Sequence, residues 1–435
     1  MKAKIIGYGV SGKAAESYLV AHGIETVVVA DANEKVAGDY DFCVVSPGVP
    51  IEQVQRESVP VVPEVELPFY CEPKLRSRCM VAVTGTNGKT TVVNQIYRMC
   101  SLAQTKAVLC GNVGIPVSRV AKNFNDAVVV MEVSSFMLEQ TCLLHPHIAV
   151  LTNITADHLD RHRTMENYIR CKARITDKQT RRDLLVVNYD DLNARAVGEA
   201  IERAKQVRVI WYSTEEIVSG YYVQDGQVWE KLGRRSRVLG TVDSLGDMAH
   251  TLSNALAVIA VGRRLRFPLK TVWEACRYQA QPHRMKLVAD SQGVAFYNDS
   301  KATNMAATLA ATNAIKMPTC LILCGLSKGQ DYHELLSQLP AHVEYVLVFG
   351  AISEQVMDVA QSLGLKHVST VTDLTGAVKR AMQIVARPGV VLFSPSGSSF
   401  DQFTNYEHRG DEFRKIVLDL INRAPQYSHP VDANL

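Results

Sequence analysis

The stretch MVAVTGTNGKTT, Met80 to Thr91, decides how this chain folds. Its first half is an apolar run of strand length. Its second half is a turn rich in glycine and small polar residues, followed by a helix-like pattern from Lys89 onward. A strand that feeds a helix through such a turn aims backbone N–H groups, and the positive end of the helix dipole, at bound phosphates. Gly85, Thr86, Asn87, Gly88 and Thr91 form the predicted cradle. Lys89 is placed to neutralise phosphate oxygens, and the Thr90 hydroxyl to ligate a magnesium ion. The general P-loop carries a further glycine where this chain has Val83, so the match is to a variant loop. The competing possibility is a plain strand-to-helix turn that happens to contain Gly-Lys.

Working outward, the same alternation recurs on both sides. Before Met80, a short strand runs into GYGVSG (Gly7, Gly9, Gly12). A helical segment, the strand ETVVVAD ending at Asp31, and FCVVSPG follow. Strand, helix, strand at this spacing implies a parallel βαβ unit. The glycine pattern fits a dinucleotide fingerprint with Asp31 near the acidic position, or simply a tight turn that needs glycine. Prolines 60, 63, 68 and 73, then KLRSR, read as a linker. After the P-loop, strands are predicted at Asp126–Val133, Ile148–Thr152 and Asp183–Asn188, hairpins over Val207–Val242, and a helix from Leu252. The pattern restarts near residue 281 with five strand candidates: GVAFYN, TCLILC, VEYVLVF, KHVSTV and GVVLFSPSG. The predicted fold is α/β in three domains. These are a Rossmann-like N-terminal domain over 1–79, a central P-loop ATPase-type α/β domain over 80–281, and a C-terminal Rossmann-like α/β domain over 282–435.

Composition narrows the partners. The chain has 435 residues, and its 47 basic and 44 acidic side chains leave a net charge of only +3. That argues against a nucleic-acid surface. At 47% hydrophobic residues it has ample core material, yet no run approaches the 18 or more apolar residues of a membrane span. The first apolar run breaks at Gly7 and is no signal peptide. A soluble cytoplasmic protein with no membrane insertion is expected. The ten cysteines are scattered without a CxxC pair and read as structural thiols.

Further polar clusters sit where open α/β sheets place ligands, just after strands. Glu132 ends the strand DAVVVMEV, well placed for a nucleotide-bound metal or else a solvated edge residue. TNITADHLDRH places His158 between Asp157 and Asp160. Lys172 lies on a helical stretch and in isolation is a solvated lysine. DSKATN (Asp299 to Asn304) and SPSGSSFDQFTNYEHRG (Ser394 to Gly410) follow later strands, as ligand sites or as ordinary polar loops.

GTNGKTT, EVSSF, the TADH loop with its downstream lysine, PHR at Pro282 to Arg284, and DSKATN occur in one fixed order over nearly the whole chain. In this the sequence resembles the Mur ligases, ATP-dependent amino-acid ligases of peptidoglycan precursor synthesis. DSKATN and the Ser394 to Gly410 segment look like the branch that adds D-glutamate. The resemblance implies ATP and magnesium, two ions, one of them near a carbamylated Lys172. It also implies two small-molecule substrates, UDP-N-acetylmuramoyl-L-alanine and D-glutamate. Lys89, His158, Lys172, Lys301 and Lys328 would carry catalysis, and Thr90, Glu132, His158 and Lys172 would surround the metals. Asn254 would contact adenine, while Arg284, Asp299 and Lys301 would meet phosphate and ribose. Val10, Ser11, Asp31, Asn112 and Ser134 would hold the UDP-sugar, and Thr303, Lys328, Ser399 and Tyr406 the D-glutamate. A monomer suffices for all of this. Three positions depart from the branch's pattern: Met137 replaces Gln, Thr251 replaces Asn, and Lys286 replaces Glu. A nicotinamide oxidoreductase built on GYGVSG, or a non-catalytic nucleotide-binding protein, are the alternatives. The first leaves the P-loop, Lys172 and DSKATN without a role.

Overall fold

The computed structural model describes residues 1–30, 38–54, 57–77, 79–113, 115–245, 252–277 and 283–423. The chain divides into two compact units, one of Met1–Thr155 with His162–Ala280, the other of Ala156–Arg161 with Gln281–Leu435.

The first unit holds two sheets. Strands β1 (Lys2–Ile6), β2 (Glu25–Val29), β3 (Phe42–Val45) and β4 (Val61–Pro63) pair in parallel in the order β2-β1-β3-β4. The second sheet contains β5 (Met80–Thr84), β6 (Ala107–Gly111), β7 (Val128–Glu132), β8 (Ile148–Leu151), β9 (Leu184–Asn188) and β10 (Arg208–Ser213), and an antiparallel meander completes it. That meander is β11 (Gly220–Gln224), β12 (Gln227–Leu232) and β13 (Arg235–Thr241), and the sheet order is β13-β12-β11-β10-β9-β8-β5-β7-β6. β5 is buried along its whole length, as a central parallel strand covered on both faces must be. One face packs on the helices Lys89–Leu102, Leu252–Arg264 and Leu269–Cys276. The other face joins a core that continues into the first sheet, with Ala3, Phe42 and Val62 in the same apolar cluster as Ala82 and Val129.

The proline-rich segment expected to be a linker is ordered structure. It forms β4, a turn at Glu64–Glu66, the helix Leu67–Cys71 and a further turn at Pro73–Ser77. The physical reason lies in two buried carboxylates. Glu66 accepts the backbone N–H groups of Cys142, Leu143 and Leu144 at 2.6–2.9 Å. Glu64 accepts the Ser118 N–H at 2.8 Å and its hydroxyl. Burial pushes both carboxyl groups above their ordinary range, and the donated hydrogen bonds oppose the shift. Pro63 is extended ahead of the first turn and Pro68 opens the helix, while these side chains anchor the segment.

The second unit is one six-stranded sheet: β14 (Lys286–Ser291), β15 (Val294–Asn298), β16 (Thr319–Cys324), β17 (Val343–Phe349), β18 (Val368–Thr370) and β19 (Gly389–Ser396), ordered β14-β15-β19-β16-β17-β18. The five expected strands are present. β14 is an additional antiparallel edge, and its mixed, exposed sequence carries no clear alternation. Lys286, the charge reversal noted above, is exposed on this edge, where a lysine suits an unpaired strand border. All ten cysteines are free thiols.

Replacing Glu66 with alanine strands three backbone donors in a buried site. We expect Glu66→Ala to cost about 3 kcal/mol of unfolding free energy. Denaturant titration measures it, and a loss below about 1 kcal/mol would show that water replaces the carboxylate.

Candidate active site

Four adjacent strands of the central sheet, β8, β5, β7 and β6, run parallel and end together. Their carboxyl ends carry the loop Thr152–Thr155, the P-loop, Glu132 with Ser134, and Asn112 respectively. The P-loop departs from regular backbone at two glycines. Gly85 has φ +147 and Gly88 φ +85, and a Cβ on them would lie 1.9 Å from Thr152 Oγ1 and 2.3 Å from Asn254 Oδ1. Only glycine allows these approaches. Asn254, expected to contact adenine, therefore sits directly against the loop.

The neighbouring loop cinches the cradle. Thr86 N–H donates to Asn153 O at 2.8 Å, and Asn87 N–H to Asn153 Oδ1 at 2.8 Å. Asn87 O accepts the Thr152 hydroxyl at 2.6 Å. The Thr86 hydroxyl meets Thr155 O and the Tyr168 hydroxyl, each at 3.1 Å. Thr90 and Thr91 open the helix Lys89–Leu102, with Thr90 half-buried and Thr91 buried.

Beneath the loop two cations meet. Lys89 Nζ donates to Gly85 O at 2.7 Å and to Thr86 O at 2.7 Å. Lys172 Nζ donates to the same Gly85 O at 2.7 Å. Lys172 is 1% exposed and lies 4.5 Å from the centre of the Tyr168 ring. It is no solvated lysine, but a buried one on the helix Met165–Ala173.

Glu132 is 2% exposed. Asn112 Nδ2 donates to its Oε1 at 2.8 Å, while Oε2 is buried with no hydrogen-bond partner. A buried anionic oxygen without a donor is what a hard cation would satisfy, so the residues fit magnesium. Asn112, expected to meet substrate, thus also orients this carboxylate. Ser134 caps the short helix Ser135–Leu138 through Met137 N–H at 3.2 Å, and Met137 is buried in the apolar core, which accounts for an apolar residue at that departure. At GYGVSG, Gly12 approaches so closely that a Cβ would lie 2.2 Å from Gly7 O, and Val10 and Ser11 open the following helix. Asp31 and Thr251 lie outside the described residues.

In the second unit, the loops after β15, β19 and β16 converge at the carboxyl ends of three adjacent strands. Asp157, which the sequence flagged only as a neighbour of His158, is a hub there. Its carboxylate accepts Lys328 Nζ at 3.3 Å and Asn304 Nδ2 at 3.2 Å, and lies 3.7 Å from His158 Nε2. Lys328 also reaches the Thr303 hydroxyl at 3.4 Å. Lys301 Nζ stands 5.2 Å from the centre of the Tyr406 ring, and Ser399 is buried in the loop after β19. Arg409 is the residue that sequence reasoning missed, although it lies inside the quoted NYEHRG. Fully buried, it donates to Ser300 O at 2.7 Å, Ser300 Oγ at 3.0 Å and Gly397 O at 3.0 Å, locking two of the loops together.

Asp299 is buried, and its carboxylate accepts the Ser394 hydroxyl at 2.9 Å and Met285 N–H at 3.1 Å. Burial pushes it up to about 6, against the opposing pull of the nearby Arg284 and of these hydrogen bonds.

A family model for the Mur ligase middle domain matches residues 83–262, and one for the Mur ligase, glutamate ligase domain, matches residues 283–397. The chain is a Mur ligase. It is 35% identical to the UDP-N-acetylmuramoylalanine--D-glutamate ligase of Pelotomaculum thermopropionicum, covering 96% of this chain and 98% of that one. With the enzyme of the same name from Alkaliphilus oremlandii it shares 33% identity, covering 89% and 86%. Among solved structures, the UDP-N-acetylmuramate-alanine ligase of Thermotoga maritima superposes with TM-score 0.59 at 18% identity, over 97% of this chain and all of that one. The MurF ligase of Thermotoga maritima in complex with ADP superposes with TM-score 0.58 at 16% identity, over 90% and 98%. These likenesses show that the three-sheet architecture is that of the Mur ligases.

The state of Asp299 makes this Mur ligase sensitive to pH in a defined direction. Its folded value near 6 exceeds the ordinary 3.8, so the native state binds more protons between about pH 4 and 6. Its contribution to stability therefore falls as pH rises through that window. Asp299→Asn removes the effect, and its stability relative to wild type should be more favourable at pH 8 than at pH 4. Thermal melts at both values test this, and an equal difference at the two pH values contradicts it.

Proposed function

We propose that this Mur ligase joins D-glutamate to UDP-N-acetylmuramoyl-L-alanine, with ATP converted to ADP and phosphate, in peptidoglycan precursor synthesis. The observation that carries the proposal is the convergence of Lys89 and Lys172 on the Gly85 carbonyl. Two ammonium groups on one oxygen, one of them buried, concentrate positive charge at the base of the loop. A nucleotide phosphate in the cradle is complementary to that charge. Conversion of Lys172 to a carbamate by CO₂ would also reverse the sign of its charge.

In the reaction, a carboxylate oxygen of the L-alanyl group attacks the γ-phosphorus, the bond to the β-phosphate oxygen breaks, and ADP leaves. The D-glutamate amine then attacks the acyl carbon, loses a proton, and expels phosphate as the amide forms. Both reactants of the first step are anions, so the site must hold positive charge before they meet. Lys89 with the amides of Gly85 to Thr91 orients the phosphates, and Asn254 flanks the base. Thr90, Glu132, His158 and a carbamylated Lys172 would hold magnesium, which supplies charge neutralisation between phosphate oxygens and the attacking carboxylate.

The remaining assignments follow the sequence. Val10, Ser11, Asn112 and Ser134 serve the UDP-sugar. Arg284, Asp299 and Lys301 serve the nucleotide. In the D-glutamate pocket, Lys328, held by Asp157, presents a cation to a carboxylate, and Thr303, Ser399 and Tyr406 add hydroxyls. The domains are read as 1–79 for the UDP-sugar, 80–281 for ATP and 282–435 for D-glutamate. No described helix is long and apolar enough to cross a membrane. We assign the enzyme to the cytoplasm, as a monomer.

Two measurements test this. Phosphate release with UDP-N-acetylmuramoyl-L-alanine, ATP and magnesium should require an amino acid and, across a panel, should favour D-glutamate. Equal release with L-alanine or with none would sink it. Lys172→Ala should lower turnover by at least about a hundredfold, with partial rescue by a short carboxylate such as formate. Wild-type turnover in that variant would remove the carbamate.

A further inference from the structure

The central sheet of the first unit carries a polar cavity at the end opposite the P-loop. β5, β8, β9 and β10 run parallel, and the P-loop follows the carboxyl end of β5. The cavity, of about 920 Å³, is lined by Leu184 and Arg208, the first residues of β9 and β10, so it opens at the amino ends. Its lining contains seven cationic side chains and only two acidic ones, Glu202 and Glu230. The whole chain is only +3, so this concentration is local and not a reflection of a basic protein.

Glu230 does not offset the excess. It is 6% exposed and already accepts Arg263 Nε at 3.1 Å, the Tyr221 hydroxyl at 3.0 Å, and Arg237. Burial raises its carboxyl, but the two arginines and the tyrosine more than compensate and hold it below the usual range, as an anion. Five cations remain: Arg181, Lys205, Arg208, Arg264 and Arg266. None of them forms an ion pair with a described carboxylate. Arg181 instead donates from Nε to Lys205 O at 3.0 Å, a contact that brings these two cationic residues together. The floor is apolar, with Val207 buried and Val209 and Ile210 half-buried.

Like charges gathered around a concavity raise its potential and favour a multiply charged anion over single chloride ions. Guanidinium forks match phosphate oxygens two at a time. We infer that this cavity is a binding site for a ligand bearing clustered phosphate groups, separate from the nucleotide cradle. Its size suits a nucleotide-scale ligand. The same chemistry is offered by a soluble polyphosphate and by the headgroups of an anionic lipid.

The test compares the full-length wild type with Arg208→Ser/Arg264→Ser, and with Lys89→Ala as a variant of the other site. Tripolyphosphate is titrated by calorimetry, and vesicles of phosphatidylglycerol are compared with phosphatidylcholine by co-sedimentation. The expected result is saturable binding of one probe, weakened about tenfold in the double variant and retained at this site in Lys89→Ala. Ligase turnover in the double variant should stay near wild type, since neither residue serves the reaction. Tripolyphosphate binding assigns a soluble ligand, and vesicle binding a lipid headgroup. Equal affinity of wild type and double variant, or no binding of either probe, overturns the inference.

Discussion

Two lysine ammonium groups held against the carbonyl oxygen of Gly85 are the constraint around which the first unit is built. The arrangement concentrates positive charge at the cradle and is complementary to an anionic ligand there. Much of the surrounding structure enforces it. Gly85 must be glycine to pass under Thr152, the 152–155 loop pins the amides of Thr86 and Asn87, and Tyr168 covers Lys172 while bonding Thr86. The surrounding packing thus holds both ammonium groups in fixed positions around one carbonyl.

The second unit is organised around buried charges of both signs. Asp157 and Arg409 are buried charges whose hydrogen bonds are spent on loops: Asp157 on Lys328 and Asn304, Arg409 on Ser300 and Gly397. A buried charge with several partners is costly to move, because any displacement leaves it unsatisfied. Lys328, Thr303 and Ser399 are therefore displayed from loops that these hydrogen bonds tie together, although the sequence there is rich in glycine and serine.

Much of this was legible in the sequence, and the failures have a common cause. The P-loop, the parallel strands and the place of Glu132 at a strand end follow from local pattern, because strand-turn-helix chemistry is contiguous in the chain. Lys172 in isolation reads as a solvated lysine and gains a role only from the family resemblance. The proline segment was read as a linker because its stability comes from Glu64 and Glu66 meeting amides more than fifty residues away. Asp157 and Arg409 escaped for the same reason: a carboxylate or guanidinium in a polar loop shows its importance only once its distant partners are known. β14 was missed because an exposed edge strand lacks alternation. The low net charge likewise concealed the basic cavity, since composition averages over the surface that topology partitions.

The grip of Glu66 on the amides of residues 142–144 bears on how this architecture can be recombined. A first sheet moved onto another central sheet would bring along a carboxylate stripped of water, and its new host would need three convergent amides in the same place. The socket is backbone, so it is defined by the path of a loop more than by any side chain. Exchange of the first sheet between relatives is thereby limited to those whose chain takes the same course after their seventh strand.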